Sequence, residues 1–400
     1  MNSIDWLSKQ SYIFLNSRAM PQYEINIQEI IEKYDLSEHV FLATSGSTAL
    51  DPSDLKLVAL NKQAILNCAA SVNKHLEISS NDIIMNPLPI FHIGGLATYA
   101  RAYLSAAKLI DCSQYQTKWD APEFVSLLEC KQITITSLVP TQIYYIVIRK
   151  LCAPKYLRAV IVGGGSLSFA VYQAAKKLNW PILLSYGMSE TASQIATSEM
   201  KTVWENFNEF PKLKILSHMQ VYLNNENRII LQGNSLCTGY IKFEKKRNYF
   251  VDPKIKTEIA GQLLSCLLTS DLGYIQGQYL QIIGRSDDVV KISGESVSLN
   301  KLEHLFNDIL LKHNFNNKAA IISEFDVRLQ NIIAVVLENK NSNLKNDVIA
   351  NLILEFNNRV YPFERIKKLY FIDHLPKTAL GKLKKKQLSA CIGEGIYIAN

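Results

Sequence analysis

No run of about 18 apolar residues, the length a membrane-spanning helix needs, occurs in the 400-residue chain. There is no C-x-x-C pair either. The seven cysteines (Cys68, Cys112, Cys130, Cys152, Cys237, Cys266 and Cys391) are scattered, and none stands with histidine at zinc-binding spacing. This argues against a zinc module and against a disulfide framework, and an odd, dispersed set fits free thiols in a reducing cytoplasm. The opening "MNSIDWLSKQ" has an early acid and no apolar core, so it does not read as a secretory signal. Charge of one sign is in short supply: 43 basic against 36 acidic residues leave +7. Such a balance suits a small anionic substrate, a nucleotide or a carboxylate, and does not argue for nucleic-acid binding. Internal repeats and low-complexity tracts are missing too, which removes solenoids and linker-rich assemblies.

What is present is ordinary for a globular enzyme: 48% hydrophobic and 20% charged residues. The length exceeds what one core serves well, so two domains are expected. From Ile25 to Leu36 the apolar spacing predicts a surface helix. "VFLAT" reads as a short buried strand, followed by a Ser/Thr/Gly loop and a helix over "NKQAILNCAASVNKHL". Helix and strand then alternate through "DIIMNPLP", "GLATYARAYLSAAKLI", "EFVSLLECKQITITSLVPTQIYYIVI", "LRAVIVGGGSLS", "FAVYQAAKKLN" and "PILLSYGMSETAS". That alternation predicts an α/β domain with a largely parallel sheet, whose ligands gather beyond the carboxyl ends of the strands. From about Lys212 short strands and Asn/Gly turns predict a β-rich subdomain. After Ser298 a helix, two strands, a helix and a strand predict a small α+β domain.

Four segments carry chemistry. "FLATSGSTALDPSDLK" offers Thr44, Ser45, Gly46, Ser47 and Thr48, small residues whose amides and hydroxyls suit a polyphosphate. The same residues would suit a plain turn capping the next helix. "SYGMSETAS" places Tyr186, Gly187, Met188, Ser189 and Glu190 at a strand exit. "TSDLGYIQGQYLQIIGRSDD" holds Asp271, Arg285 and Asp287, and "PKTALGKLKKKQL" holds Lys382.

In this order, over Phe41 to Leu388, the four resemble the core motifs of the adenylate-forming superfamily: acyl-CoA synthetases, luciferases and peptide-synthetase adenylation domains. The resemblance implies a large ATP- and acyl-binding domain over 1–286, N-terminally shortened, and a small mobile domain over 287–400. It implies that Thr44–Thr48 hold phosphate, that Tyr186, Gly187, Met188 and Ser189 lie along the nucleotide, and that Glu190 holds Mg²⁺. Asp271 and Arg285 would meet ribose, Asp287 would be the hinge, and Lys382 would reach the carboxylate and α-phosphate. "PIFHIGGL" and "VGGGS" are similar to acyl-CoA ligase segments, implying that Phe91, His92, Gly94, Gly163, Gly164 and Gly165 border the acyl group and the thiol. The implied reagents are ATP, Mg²⁺, coenzyme A and a small carboxylic acid, with a homodimer left open.

The phosphate loop departs from the family. Ala49 replaces the usual glycine, Asp51 and Asp54 bring negative charge, and the next lysine is Lys56. Three other readings stand beside the leading one: an aryl or fatty acid ligase, an enzyme loading a carrier thiol, and a degenerate nucleotide-binding relative without turnover.

Overall fold

The computed structural model describes residues 4–16, 27–43, 56–113, 119–205, 208–244, 247–292, 295–313, 315, 319–326, 330–338, 346–377, 383–384, 387–388, 391–393 and 395–398. The loop residues Thr44, Ser45, Gly46, Ser47 and Thr48, and Lys382, lie outside this set. The chain divides into two units. One comprises Met1–Ser166, Gln173–Thr269 and Gly273–Ile282; the other comprises Leu167–Tyr172, Ser270–Leu272 and Ile283–Asn400.

The first unit opens with β1 (Tyr12–Phe14), α1 (Gln28–Lys33), β2 (His39–Ala43), β3 (Lys56–Asn61) and α2 (Lys62–Leu76). Here the structure corrects the sequence reading. The Ser/Thr/Gly segment leads not into a helix but into β3, which pairs antiparallel with β2 from His39↔Asn61 to Ala43↔Leu57. Leu57, Val58, Ala59 and Leu60 are all fully buried. Such a run is a two-sided buried strand, and the helix starts only at Asn61, whose side chain caps it by accepting from the Gln63 amide. Lys62, at the first position of α2, is buried yet satisfied: its ammonium donates to the carbonyls of Asp5 and Ser8 and to the Ser8 hydroxyl. It thereby ties the N-terminal segment down.

Next come β4 (Ile83–Asn86), α3 (Ile93–Ser105), β5 (Lys108–Asp111), α4 (Ala121–Cys130), β6 (Ile135–Leu138), α5 (Pro140–Ile148), β7 (Ala159–Val162), α6 (Phe169–Lys177) and β8 (Ile182–Met188). The five strands run parallel in the order β5-β4-β6-β7-β8. They continue as β9 (Ser193–Thr197), β10 (Leu213–Ile215), β11 (Met219–Leu223), β12 (Arg228–Gly233), β13 (Gly239–Glu244), β14 (Arg247–Val251), β15 (Ile255–Ile259), β16 (Gln262–Gln276) and β17 (Tyr279–Arg285). Beyond β8 the same sheet runs β9-β10-β17-β16-β12-β11, with β8 and β9, β9 and β10, and β11 and β12 antiparallel. The expected parallel sheet is therefore one half of a mixed sheet. A separate five-stranded sheet runs β1-β2-β3-β13-β14. Val40, Leu42, Val58, Leu60, Ile65, Val72, Ile84, Leu96 and Ile135 join both sheets and α2–α3 in one core. Each such side chain contributes about 1.5–3 kcal/mol of burial.

The second unit holds β18 (Val289–Ile292), β19 (Glu295–Ser298), α7 (Leu299–Lys312), β20 (Ala319–Asp326), β21 (Gln330–Glu338), α8 (Asn346–Asn357), β22 (Ile366–Ile372) and β23 (Ile396–Tyr397). Ser298 caps α7 through the Lys301 amide. The apolar faces of α7 and α8, with Phe306 and Phe356 edge to face, pack on Ile321, Ile333, Val335 and Ile366 of the β20-β21-β22-β23 sheet. All seven cysteines are free. No helix among the described residues is long and apolar enough to cross a membrane.

Candidate active site

At the exit of β8 the chain turns back on itself. Gly187 is still in the strand and lies so close to β9 that a Cβ there would stand 1.9 Å from the Ser193 carbonyl oxygen. Only glycine fits. Ser189, Glu190 and Thr191 form a single 3₁₀ turn, followed by Ala192 and Ser193 at φ 55° and 122°. Two successive non-glycine residues at positive φ are strained, and a hydrogen-bond cage holds them there. The Thr191 hydroxyl donates toward the carbonyls of Met188 and Ser193, and the Cys237 amide donates to the Glu190 carbonyl at 2.7 Å. Glu190 is thus presented by a fixed backbone. Tyr186 and Met188 pack against the Ile195, Ala196 and Met219 cluster.

One carboxylate oxygen of Glu190, Oε1, accepts from Lys56 Nζ at 3.3 Å and from the Tyr240 hydroxyl at 3.1 Å. The Lys56 ammonium also lies 3.8 Å from the centre of the Tyr240 ring. The sheet register explains the meeting: β3 pairs antiparallel with β13, Val58 opposite Tyr240 and Lys56 opposite Lys242, so all four share a face. Burial and the Glu190 charge push the Tyr240 phenol far above its ordinary range, so it stays a donor. Lys56 was singled out in the sequence; Tyr240 was not, and no local pattern marks it, because its role comes from long-range pairing.

At the exit of β4, Phe91 and His92 precede α3. His92 is the N-cap residue of that helix; its carbonyl accepts from the amides of Gly95 and Leu96. Its ring lies 4.7 Å from Phe91, and Nε2 is buried with no hydrogen-bond partner. Burial lowers its pKa to about 4, so the imidazole is neutral near pH 7. Gly94 is the second residue of α3, where an added Cβ would stand 3.2 Å from a Leu88 methyl. Further along the helix, Arg101 is buried. Its guanidinium donates to Thr98 at 2.7 Å and Ser137 at 2.9 Å, and Nε has no partner. No carboxylate among the described residues pairs with it. Desolvation brings its pKa down to about 10. A lone arginine inside an apolar helix, "LATYARAYL", was the signal available for it in the sequence. Gly163, Gly164 and Gly165 form the exit of β7, with Gly164 at φ 78°.

In the second unit Asp271 is buried, and Arg285 Nη1 donates to its Oδ1 at 3.1 Å. This brings together two residues expected to meet ribose. Asp287 lies in the 3₁₀ turn Ser286–Asp288. Among the described residues no cluster of three or more metal-binding side chains occurs.

Two strand exits of one parallel sheet, the ionic one after β8 and the neutral one after β4, thus carry the candidate residues, where ligands gather in α/β folds. Residues 33–240 match the AMP-binding enzyme family. That is just over half of the chain, and the chain belongs to this family. Among curated relatives it is 24% identical over 373 residues to 2-succinylbenzoate–CoA ligase of Bacillus pumilus, spanning 91% of this chain and 71% of the relative. It is 26% identical over 365 residues to the ligase of the same name from Listeria monocytogenes, spanning 90% and 71%. The ligase from Listeria innocua is 26% identical, with 64% of its length matched. The solved O-succinylbenzoate coenzyme A synthetase from Bacillus subtilis in complex with AMP has a TM-score of 0.68 at 21% identity, covering 89% of this chain and 70% of that one. The same enzyme in complex with ATP and magnesium ion gives 0.69. These likenesses are of fold.

Proposed function

We propose that the chain is an AMP-forming acid–CoA ligase whose acid is 2-succinylbenzoate, which would place it in menaquinone biosynthesis. The carboxylate would attack the α-phosphorus of ATP, giving acyl-AMP and pyrophosphate, and the CoA thiol would then displace AMP. The observation that carries the reading is Glu190, a single carboxylate on a strained, hydrogen-bonded turn at a strand exit. Mg²⁺ takes few protein ligands and completes its shell with phosphate oxygens and water, so one such oxygen fits it. When bound, Mg²⁺ would neutralise charge on the phosphates.

The chain's own residues have separate tasks. Thr44–Thr48 would cradle phosphate, and Asp271 with Arg285 would hold the ribose hydroxyls. Lys382 would offset the charge that develops as pyrophosphate leaves. Neutral His92, with Phe91, Gly94 and Gly163–Gly165, would border the acyl group and the thiol path. With a pKa near 4 it is a poor proton acceptor at pH 7. Its role is to line and gate the path rather than to act as a base. Rotation of the small domain at Asp287 would open the path for the thiol.

Pyrophosphate release with 2-succinylbenzoate, ATP and CoA tests the assignment. Release with benzoate or a fatty acid and none with 2-succinylbenzoate would move the substrate. Lys382→Ala should lose ATP–pyrophosphate exchange and still convert preformed acyl-AMP.

A further inference from the structure

We propose that Lys56 is a built-in counter-cation of Glu190 that exchanges with the divalent cation, so that nucleotide binding swaps one positive charge for another on the same oxygen. The inference rests on the acid–CoA ligase reading only in taking the ligand to be a nucleoside triphosphate with Mg²⁺.

Three observations support it. First, Lys56 Nζ and the Tyr240 hydroxyl converge on the same atom, Oε1 of Glu190. An oxygen–magnesium distance is about 2.1 Å. A divalent cation at that distance and an ammonium on the same oxygen repel each other at close quarters, so the two compete for it. Second, the ion pair is built to be dislodged. Its 3.3 Å is long for an N–H···O contact, and the lysine end is 30% exposed. The flexible stem of lysine carries a compact charge that can be redirected with little loss. Third, the surroundings favour departure once a second cation arrives. Lys242 stands directly opposite Lys56 on β13, a like-charge cross-strand pair, which is destabilising.

The destination follows from chain order. Lys56 is the first residue of β3, immediately after the Thr44–Leu55 segment that carries the candidate phosphate residues. A phosphate oxygen held by that segment would be the next partner of an ammonium leaving Glu190. The acidic detour through Asp51 and Asp54 would otherwise leave that segment without a cation. Tyr240 is then a positioning residue. Its hydroxyl keeps Glu190 aimed while the cations change, and its ring face holds the departing ammonium nearby.

Calorimetric titration with α,β-methylene-ATP, in Mg²⁺ and in EDTA, tests the exchange without catalysis. Without Lys56 nothing competes with the metal, and nothing replaces it when the metal is removed. In Lys56→Met the ratio of the Kd in EDTA to the Kd in Mg²⁺ should rise about tenfold over the native chain, within the usual range of coupling between two ligands. Lys56→Arg should keep the native ratio. Lys56→Gln carries the same expectation as Lys56→Met where the latter does not fold by circular dichroism. Equal shifts of both constants in the charge-removing variants would overturn the exchange and leave Lys56 a structural residue. No binding of the analogue by the native chain under either condition would instead defeat the nucleotide reading itself.

Discussion

The exits of β8 and β4 belong to the same parallel sheet and the same unit, yet they have opposite electrostatic character. Glu190, after β8, sits in an ionic cluster: a lysine and a phenol lie on one oxygen, and its own carbonyl is bonded to the Cys237 amide. His92, after β4, has been stripped of charge: Nε2 has no partner, Phe91 lies against the ring, and burial holds the pKa near 4. The difference shows how one sheet edge can serve two chemistries. An ionic corner fits a nucleotide and its metal. A neutral corner fits an aryl group and a thiol, where a fixed charge would have to be desolvated at a cost of several kcal/mol.

The largest expected effect comes from breaking the ionic corner at its backbone. In Gly187→Ala the new methyl would stand 1.9 Å from the Ser193 oxygen and 2.6 Å from its carbonyl carbon, so β8 and β9 must part. The change should cost about 3 kcal/mol or more by denaturant titration and abolish both partial reactions. A fully stable, active variant would mean that the hairpin does not set Glu190.

The next test separates the corners. Glu190→Gln should slow ATP–pyrophosphate exchange by about 10²–10³-fold, the scale of one lost electrostatic contact at a reacting phosphate, while sparing CoA transfer from preformed acyl-AMP. His92→Ala should do the reverse, with a smaller loss of about tenfold in kcat/KM for CoA. Equal damage to both half-reactions in either variant would erase the division.

Which parts of these corners the sequence revealed follows from how local each signal is. The exits of β7 and β8 were legible, because a buried apolar run ending in glycine and hydroxyl residues is written in consecutive positions. Asp271 and Arg285 were read as partners of one ligand, and the structure pairs them directly. The β2–β3 hairpin was not legible. Four buried residues before Asn61 look alike as the end of a loop, a strand or the first turn of a helix, and only pairing with Val40 and Leu42 decides. A largely parallel sheet and a separate β-rich subdomain were expected; that the later strands extend the same sheet as its antiparallel half is specified by contacts between distant strands. Tyr240 and Arg101 gain their meaning from partners 50 and 36 residues away, Glu190 and Ser137, which no periodicity shows. The loop residues Thr44–Thr48 and the chain end at Lys382 lie outside the described residues and remain proposals.

The smallest expected effect is a pH signature of the neutral corner. His92 has a folded pKa near 4, against about 6.5 for an unperturbed histidine. The unfolded chain therefore binds its proton first as pH falls. Above pH 6.5 both states are neutral and the group contributes nothing. Between 6.5 and 4 protonation favours the unfolded state, and stability is lost progressively. From pH 7 to pH 5.5 this amounts to about 1 kcal/mol for His92. His218, also held near 4 by burial, adds a similar loss. Chemical denaturation at both pH values should therefore show His92→Gln and His218→Gln each flattening the fall by about 1 kcal/mol. An acid loss as steep in His92→Gln as in the native chain would show that the β4 exit admits enough water to solvate the imidazolium, and the two corners would then differ in their ligands alone.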